Sequence, residues 1–231
     1  TSEGKSYLAM MSNGGYNAVK TAGFPITELT EEMDVLVDCQ KLLDVVGKST
    51  VDELKFDKIS EENIKVTANG ENKLRYSPGE LIAPLPKYED SEVIGGMQVK
   101  VFSQLCKLTV PFATMDIHKA PLIGLCIANG NLYGTDEYKA ITVTGVGLEV
   151  SRQLNFSPII ADMIALFDGE DKIQFHLGKM QGGDDYTHLV ANIDGMELFI
   201  LKYQTEYPSD ILDPLNETFV TNNTSFITVA K

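Results

Sequence analysis

The strongest constraint on this chain is that it says nearly the same thing twice at the scale of a domain. Asn13-Gly-Gly-Tyr-Asn-Ala-Val-Lys20 recurs in outline as Gly134-Thr-Asp-Glu-Tyr-Lys-Ala-Ile141, and Val51-Asp-Glu-Leu-Lys-Phe56 recurs as Glu170-Asp-Lys-Ile-Gln-Phe175. Tyr88 answers in the same way to Tyr207. A period of about 120 residues is too long for a solenoid and marks a duplicated folding unit. At 231 residues there is room for two domains of ordinary size, and 43% hydrophobic residues let each half bury a core.

Charge then removes several function classes. A formal net charge of -14 repels nucleic acid and anionic membranes over most of the surface, so any DNA contact is expected on a local, weakly binding basic face. Only two of the basic residues are arginines, Arg75 and Arg152, which argues against bidentate base or phosphate readout. Cys39, Cys106 and Cys126 are odd in number and scattered, which fits reduced cytoplasmic thiols rather than a disulfide framework or a zinc site. There is neither an apolar run long enough to span a membrane nor an opening signal sequence, so the expected location is cytoplasmic, without membrane contact.

Patterning supplies the elements. Lys5 to Lys20 reads as a hairpin around Ser12-Asn-Gly-Gly15. A helix is expected over Cys39 to Gly47 with Asp38 as N-cap, burying Cys39, Leu42, Leu43 and Val46. Strands follow at 53–59, 63–68 and 73–78, then a proline-rich linker over Pro84 to Asp90. Gln98 to Leu108 is a second amphipathic helix with Val99, Phe102, Leu105 and Cys106 inward. Strands near 122–128, 131–133 and 140–144 precede a helix opened by Ser157-Pro158 and running to Phe167. Strands at 172–177, 187–193, 197–202 and 224–230 complete the chain. Each unit is a short helix followed by antiparallel strands, an α+β pattern.

Several of these stretches together resemble the bacterial β sliding clamp, the beta subunit of DNA polymerase III. Gly134 to Ile141 looks like the family's Ala-Thr-Asp-Gly-His-Arg-Leu-Ala strand. Phe156 to Phe167, running into Asp168-Gly-Glu-Asp-Lys-Ile173, looks like its helix ending in a Leu-Leu-Asp-Gly-Glu turn. Ile193-Asp-Gly195 and Tyr207-Pro-Ser-Asp210 look like its Ile-Asp-Gly and Phe-Pro-Asp-Tyr corner. Leu36 to Val46 resembles the second helix of the clamp's first domain. The resemblance covers residues 7 to 231 and rests on the order and spacing of motifs, none of which is specific alone.

The resemblance implies a DNA-clamp (processivity) fold. It places a clamp-like domain lacking its first helix over residues 1–90 and a complete one over 91–217, with 218–231 as the first strand of a third. A piece of a three-domain clamp and a short divergent clamp both fit that division. The implied function is a processivity factor that encircles duplex DNA and tethers the replicative polymerase, with no catalytic site and no cofactor. Its implied partners are duplex DNA, the polymerase and the clamp loader through short peptide motifs, and further copies of itself in a ring. The polar faces carrying Lys41 and Lys48, and Lys100, Gln104 and Lys107, are the candidate DNA-facing wall, although any exposed helix face carries lysines. The helix from Ser157 to Phe167 has no basic residue and carries Asp162, a departure from a uniformly basic bore.

By resemblance a partner-peptide pocket would draw on Leu122, Ile123, Gly124, Thr135, Tyr138, Lys139, Ala140 and Pro208. The family's Gly-His-Arg-Leu stands here as Glu137-Tyr-Lys-Ala140, which shrinks one wall and changes its polarity. Other constellations are weaker. His118, His176 and His188 lack metal-ligand spacing, Asp136-Glu137 and Gly183-Asp-Asp185 suit solvated turns, and Gly145-Val-Gly147 lacks the rest of a phosphate loop. The competing reading is a non-catalytic assembly or phage structural protein that reuses the same duplicated unit.

Overall fold

The structure, a computed structural model, describes residues 7–8, 11–13, 18–20, 24–25, 28, 33, 35–78, 93–180, 183–208 and 212. The expected linker over 84–90 and the expected strand over 224–230 lie outside the described residues. The chain divides into two compact units, one of residues 1–8 and 23–83, the other of residues 9–22 and 84–231. Residues 9–22, placed with the first domain by sequence, thus cluster with the second unit.

In the first unit β1 (Tyr7–Leu8) pairs with β4 (Phe24–Pro25), and β5 (Val35–Val37) leads into α1 (Cys39–Val46). β6 (Lys55–Ser60), β7 (Asn63–Thr67) and β8 (Glu71–Pro78) form a meander that β5 extends in the order β5-β8-β7-β6. Asp38 caps α1 as expected, its carboxylate accepting from the Lys41 amide at 3.0 Å. The buried face is phased differently from the sequence expectation. Leu42 and Val45 pack on the small core of Ile64, Val66 and Leu74, while Cys39 is exposed and Leu43 is 59% exposed. An eight-residue helix with one loaded stripe is held by that sheet contact, not by its own propensity.

In the second unit β9 (Val93–Gln98) runs directly into α2 (Val99–Thr109). β10 (Leu125–Ala128), β11 (Asn131–Thr135) and β12 (Ala140–Val143) form a meander. β13 (Leu154–Phe156), α3 (Ile160–Ile164), β14 (Lys172–Lys179), β15 (Tyr186–Ile193) and β16 (Met196–Tyr203) follow. With β2 (Met11–Asn13) and β3 (Ala18–Lys20) they make a ten-stranded antiparallel sheet, ordered β12-β11-β10-β13-β16-β15-β14-β9 with the β2–β3 hairpin joined to β16. The loops Asn129-Gly130 and Asp194-Gly195 carry positive φ at both positions, the turn whose twist matches a two-residue hairpin.

The expected helix over 157–167 is shorter. α3 spans Ile160–Ile164, Ser157 accepts from the Ile159 amide, and turns continue to Phe167. β9 and β13 form where the sequence pattern predicts no strand. The core of this unit joins the inner face of α2 (Val99, Phe102, Cys106) to Ile160 and Ile164 of α3 and to Phe175, Leu189 and Ile200 of the sheet. Phe102 and Phe175 are fully buried with ring centroids 4.9 Å apart. Each such side chain contributes about 1.5–3 kcal/mol by burial.

The hairpin registers also correct the repeat. Asn13 faces Ala18 and Thr135 faces Ala140, so Ala140 is the counterpart of Ala18, one residue on from the sequence match to Lys139. Phe56 keeps its match to Phe175, and following the ladders through Val66 and Ala191 makes Asn72 the counterpart of Leu198.

Candidate interaction surfaces

Two surfaces of the second unit carry the residues singled out by sequence. The first is the outer face of α2, where Lys100, Gln104 and Lys107 are exposed opposite Val99, Phe102 and Cys106. The Asp168–Asp171 turn caps this helix, because the carbonyls of Asp171 and Gly169 accept from the amides of Val99 and Lys100 at 2.9 Å each. Glu170 of that turn then receives the Lys100 ammonium and the Gln98 amide. Lys100 therefore spends its charge on its own turn, whereas Lys107 pairs with no carboxylate among the described residues. In the first unit Lys41 and Lys48 are exposed, Lys41 on α1 and Lys48 just beyond it.

The second surface surrounds the β11–β12 turn and the segment after β16. Asp136 organises the turn by accepting from the amides of Tyr138 (3.1 Å) and Lys139 (3.0 Å). Burial pushes its carboxyl up, but those two amides and the Lys139 ammonium outweigh it, and the group lies below its ordinary value. Glu137 holds φ 81°, a left-handed conformation that costs a side chain about 1–2 kcal/mol, and it stands where the resembled family has glycine. Lys119 binds both outer residues, with an ion pair to Glu137 at 3.2 Å and its ammonium 4.8 Å from the Tyr138 ring centroid. The hydrogen bond from Lys119 to Glu137 raises the Lys119 pKa against the opposing effect of burial. Lys139 turns back to donate to the Pro111 carbonyl at 2.6 Å over the Phe112 ring. Tyr138 stays 85% exposed.

Tyr207 ties this turn to the predicted pocket. Its hydroxyl donates to the Gly124 carbonyl at 2.7 Å, and the Thr135 backbone amide faces its oxygen. Gln153 braces the same residue, accepting from its amide at 2.9 Å and donating to its carbonyl at 3.1 Å. Gly124 is obligatory at φ 82°, since a Cβ there would lie 2.4 Å from the Phe156 carbonyl oxygen. Leu122, Cys126, Tyr133, Tyr207 and Leu212 form one buried cluster under this surface.

The predicted residues fall into two groups. Leu122, Gly124 and Thr135 are gathered around Tyr207, with Ile123 and Pro208 half-buried beside them, but Leu122, Gly124 and Thr135 are buried as floor and not open as wall. Tyr138 is available on the rim, Lys139 is committed to Pro111, and Ala140 is half-buried in β12. A cavity of about 250 Å³ opens next to this cluster, sharing Ala128 and Leu212 with it and adding Arg152 and Gln153. None of the predicted pocket residues lines it. Tyr207 was visible in the sequence as the repeat partner of Tyr88, while Gln153, Arg152 and Leu212 carried no motif signal.

A short helix with antiparallel strands, built twice, is the pattern of the DNA-clamp fold. The chain is similar over its length to a putative DNA polymerase III beta subunit from Eubacterium rectale ATCC 33656, with TM-score 0.73, 11% identity, and coverage of 91% of this chain and 57% of that one. It is likewise similar to the DNA polymerase III subunit beta of Pseudomonas aeruginosa, with TM-score 0.72, 14% identity, and coverage of 90% and 58%. The Helicobacter pylori beta clamp bound to a DNA ligase peptide gives TM-score 0.67, 12% identity, and coverage of 88% and 57%. The chain thus spans just over half the length of these structures. No protein-family model and no curated protein sequence matches it.

Proposed function

We propose that this chain acts as a DNA sliding clamp or as part of one: a processivity factor that encloses duplex DNA, tethers a replicative polymerase and carries out no chemistry. The observation that carries the reading is the fold itself, shared with bacterial DNA polymerase III beta subunits over about nine-tenths of the chain. A clamp holds DNA by topology, so it needs little affinity, and that suits a protein with net charge -14 and few free lysines on its helix faces. The reading takes residues 1–90 and 91–217 as successive clamp-like repeats, with the β2–β3 hairpin of the first lent to the sheet of the second and 218–231 opening a third.

In this reading Lys107, with Lys41 and Lys48, faces the duplex, and Lys100 is weakened as a DNA contact by Glu170. A polymerase or clamp-loader peptide would dock over the Leu122–Gly124 and Tyr207–Pro208 surface, using the Tyr138 rim and the Arg152 cavity. The H. pylori clamp with its DNA ligase peptide supports peptide docking as a property of this fold. The protein would work in the cytoplasm. Retention on nicked circular DNA that disappears when the circle is linearised is the expected result. Equal retention on both forms, or none, would favour the assembly-protein alternative.

A further inference from the structure

The cavity of about 250 Å³ at the C-terminal end of β10 has a lining that runs against the composition of the chain. Ala128 and Leu212 give it an apolar wall, and Asn129, Ser151, Arg152 and Gln153 a polar one. Acidic residues number 33 against 19 lysines and arginines, yet no carboxylate lines the cavity among the described residues. Lys20, Lys65, Lys100 and Lys119 each spend their charge on a carboxylate. Arg152 is exposed and has no such partner among the described residues. The side chains of Asn129 and Ser151 form no hydrogen bond to them either. Gln153 uses one of its two amide hydrogens, on the Tyr207 carbonyl at 3.1 Å. Unspent donors thus surround one small space.

Size and position narrow what that space can take. Pockets for drug-sized ligands run from about 300 to 1,000 Å³, so this one holds a single small group. The guanidinium and the amides call for an oxyanion, and its planar fork matches a carboxylate through two parallel N–H bonds. Ala128 and Leu212 call for an apolar stem beside it. Ala128 lies four residues along the chain from Gly124, about 13 Å of extended strand. Tyr207 spans that interval, with its hydroxyl on the Gly124 carbonyl and its amide on Gln153. Leu122, Ala128, Tyr207 and Leu212 share one buried cluster, which puts the cavity and the Leu122–Gly124 surface on one side of the sheet. A peptide lying over that surface reaches the cavity with its end.

We propose that the Arg152 cavity binds the C-terminal carboxylate of a partner peptide whose last residue is apolar. The Arg152 guanidinium takes the carboxylate, and the Asn129 and Gln153 amides with the Ser151 hydroxyl supply further donors. The last side chain covers Ala128 and Leu212. The proposal rests on the peptide-docking reading for the source of the chain end, not for the cavity's preference for a carboxylate.

The test is an NMR titration of the full, isotope-labelled chain with N-acetyl-L-leucine, a chain end carrying an apolar side chain. The side-chain amides of Asn129 and Gln153 and the Arg152 Nε–H should shift and saturate in the millimolar range. N-acetyl-L-leucinamide lacks the charge and should bind at least about tenfold more weakly, the loss of a hydrogen bond to a charged group. Arg152→Gln should erase the difference between acid and amide, and Arg152→Lys should keep part of it. Arg75→Gln, which removes the other arginine, should leave it whole. If Arg152→Gln fails to fold, Arg152→Lys and the acid–amide comparison on the unaltered chain decide. Equal binding of acid and amide, no shift at these residues, or an equal loss in Arg75→Gln would overturn the proposal. A longer probe, acetyl-tetraalanyl-leucine, separates it from the docking reading. Shifts at Asn129 and Gln153 without Gly124 uphold the carboxylate site and tell against docking over Leu122–Gly124, and shifts at Gly124 alone do the reverse.

Discussion

The hydroxyl of Tyr207 and the carbonyl of Gly124, 83 positions apart, are joined by a 2.7 Å hydrogen bond inside the protein. This one contact locks the segment leaving β16 against the segment entering β10, and the Thr135 amide brings the β11–β12 turn to the same oxygen. Burial raises the phenol's pKa, so it stays a donor across the physiological range.

Tyr207→Phe removes the donor and leaves the Gly124 carbonyl buried without its partner. Chemical denaturation should show a loss of about 1–3 kcal/mol, the cost of an orphaned buried acceptor. Peptide binding to this surface should weaken in step. Unchanged stability would mean that Gln153 alone positions the segment.

Glu137→Gly should stabilise the protein slightly. Relief of the φ 81° backbone is worth about 1–2 kcal/mol, and the solvent-screened ion pair to Lys119 gives back less than that. A midpoint shift toward higher denaturant is the expected readout, and destabilisation would show that the ion pair dominates.

The β11–β12 turn should loosen in acid. Because the folded Asp136 pKa lies below the unfolded one, its contribution is present above an ordinary carboxylate pKa of about 4 and is lost as pH falls through the depressed value. Amide exchange at Tyr138 and Lys139 should accelerate over that window. Acceleration beginning above pH 5 would contradict the assignment.

Thiol labelling at pH 7 should find one reactive cysteine. Cys39 is exposed, whereas burial pushes the Cys106 thiol up to about 12 and raises Cys126 further. Mass spectrometry after brief alkylation should show a single adduct at Cys39, with the other two appearing only in denaturant.

Lys107→Glu should weaken retention on circular DNA and flatten its salt dependence by about one unit of slope, leaving the fold unchanged. Lys100→Glu is a poorer probe, since it would place a second carboxylate beside Glu170. Retention indifferent to Lys107 would remove α2 from the DNA-facing wall.

Much of this architecture was legible because its signals are local. Val99, Phe102 and Cys106 recur at helical spacing and are buried, and the strands of the two meanders are set off by turn residues such as Asn69-Gly70 and Asn129-Gly130. Local signals fail where tertiary contacts decide. In α1 the sheet selects Leu42 and Val45 over Leu43, which apolar spacing ranks equally. Ile159 and Leu166 extend the apolar pattern of α3 but lie exposed in turns outside it. Adjacent glycines in Val93-Ile-Gly-Gly-Met-Gln98 hid β9, which forms by pairing with β14. At the candidate site the turn residues could be read, but their commitment could not. Lys139 is held by Pro111 and Lys100 by Glu170 through contacts that no spacing encodes.

The pairing of β3 with β16 also sets a timetable for synthesis. Lys20 and Glu197 are 177 positions apart, so at ribosomal rates the early hairpin emerges roughly 10–35 s before the strand that receives it. Through that interval an edge meant for β16 is open to other nascent chains and to chaperones. The arrival of β16, not of the hairpin, decides when this edge stops being sticky.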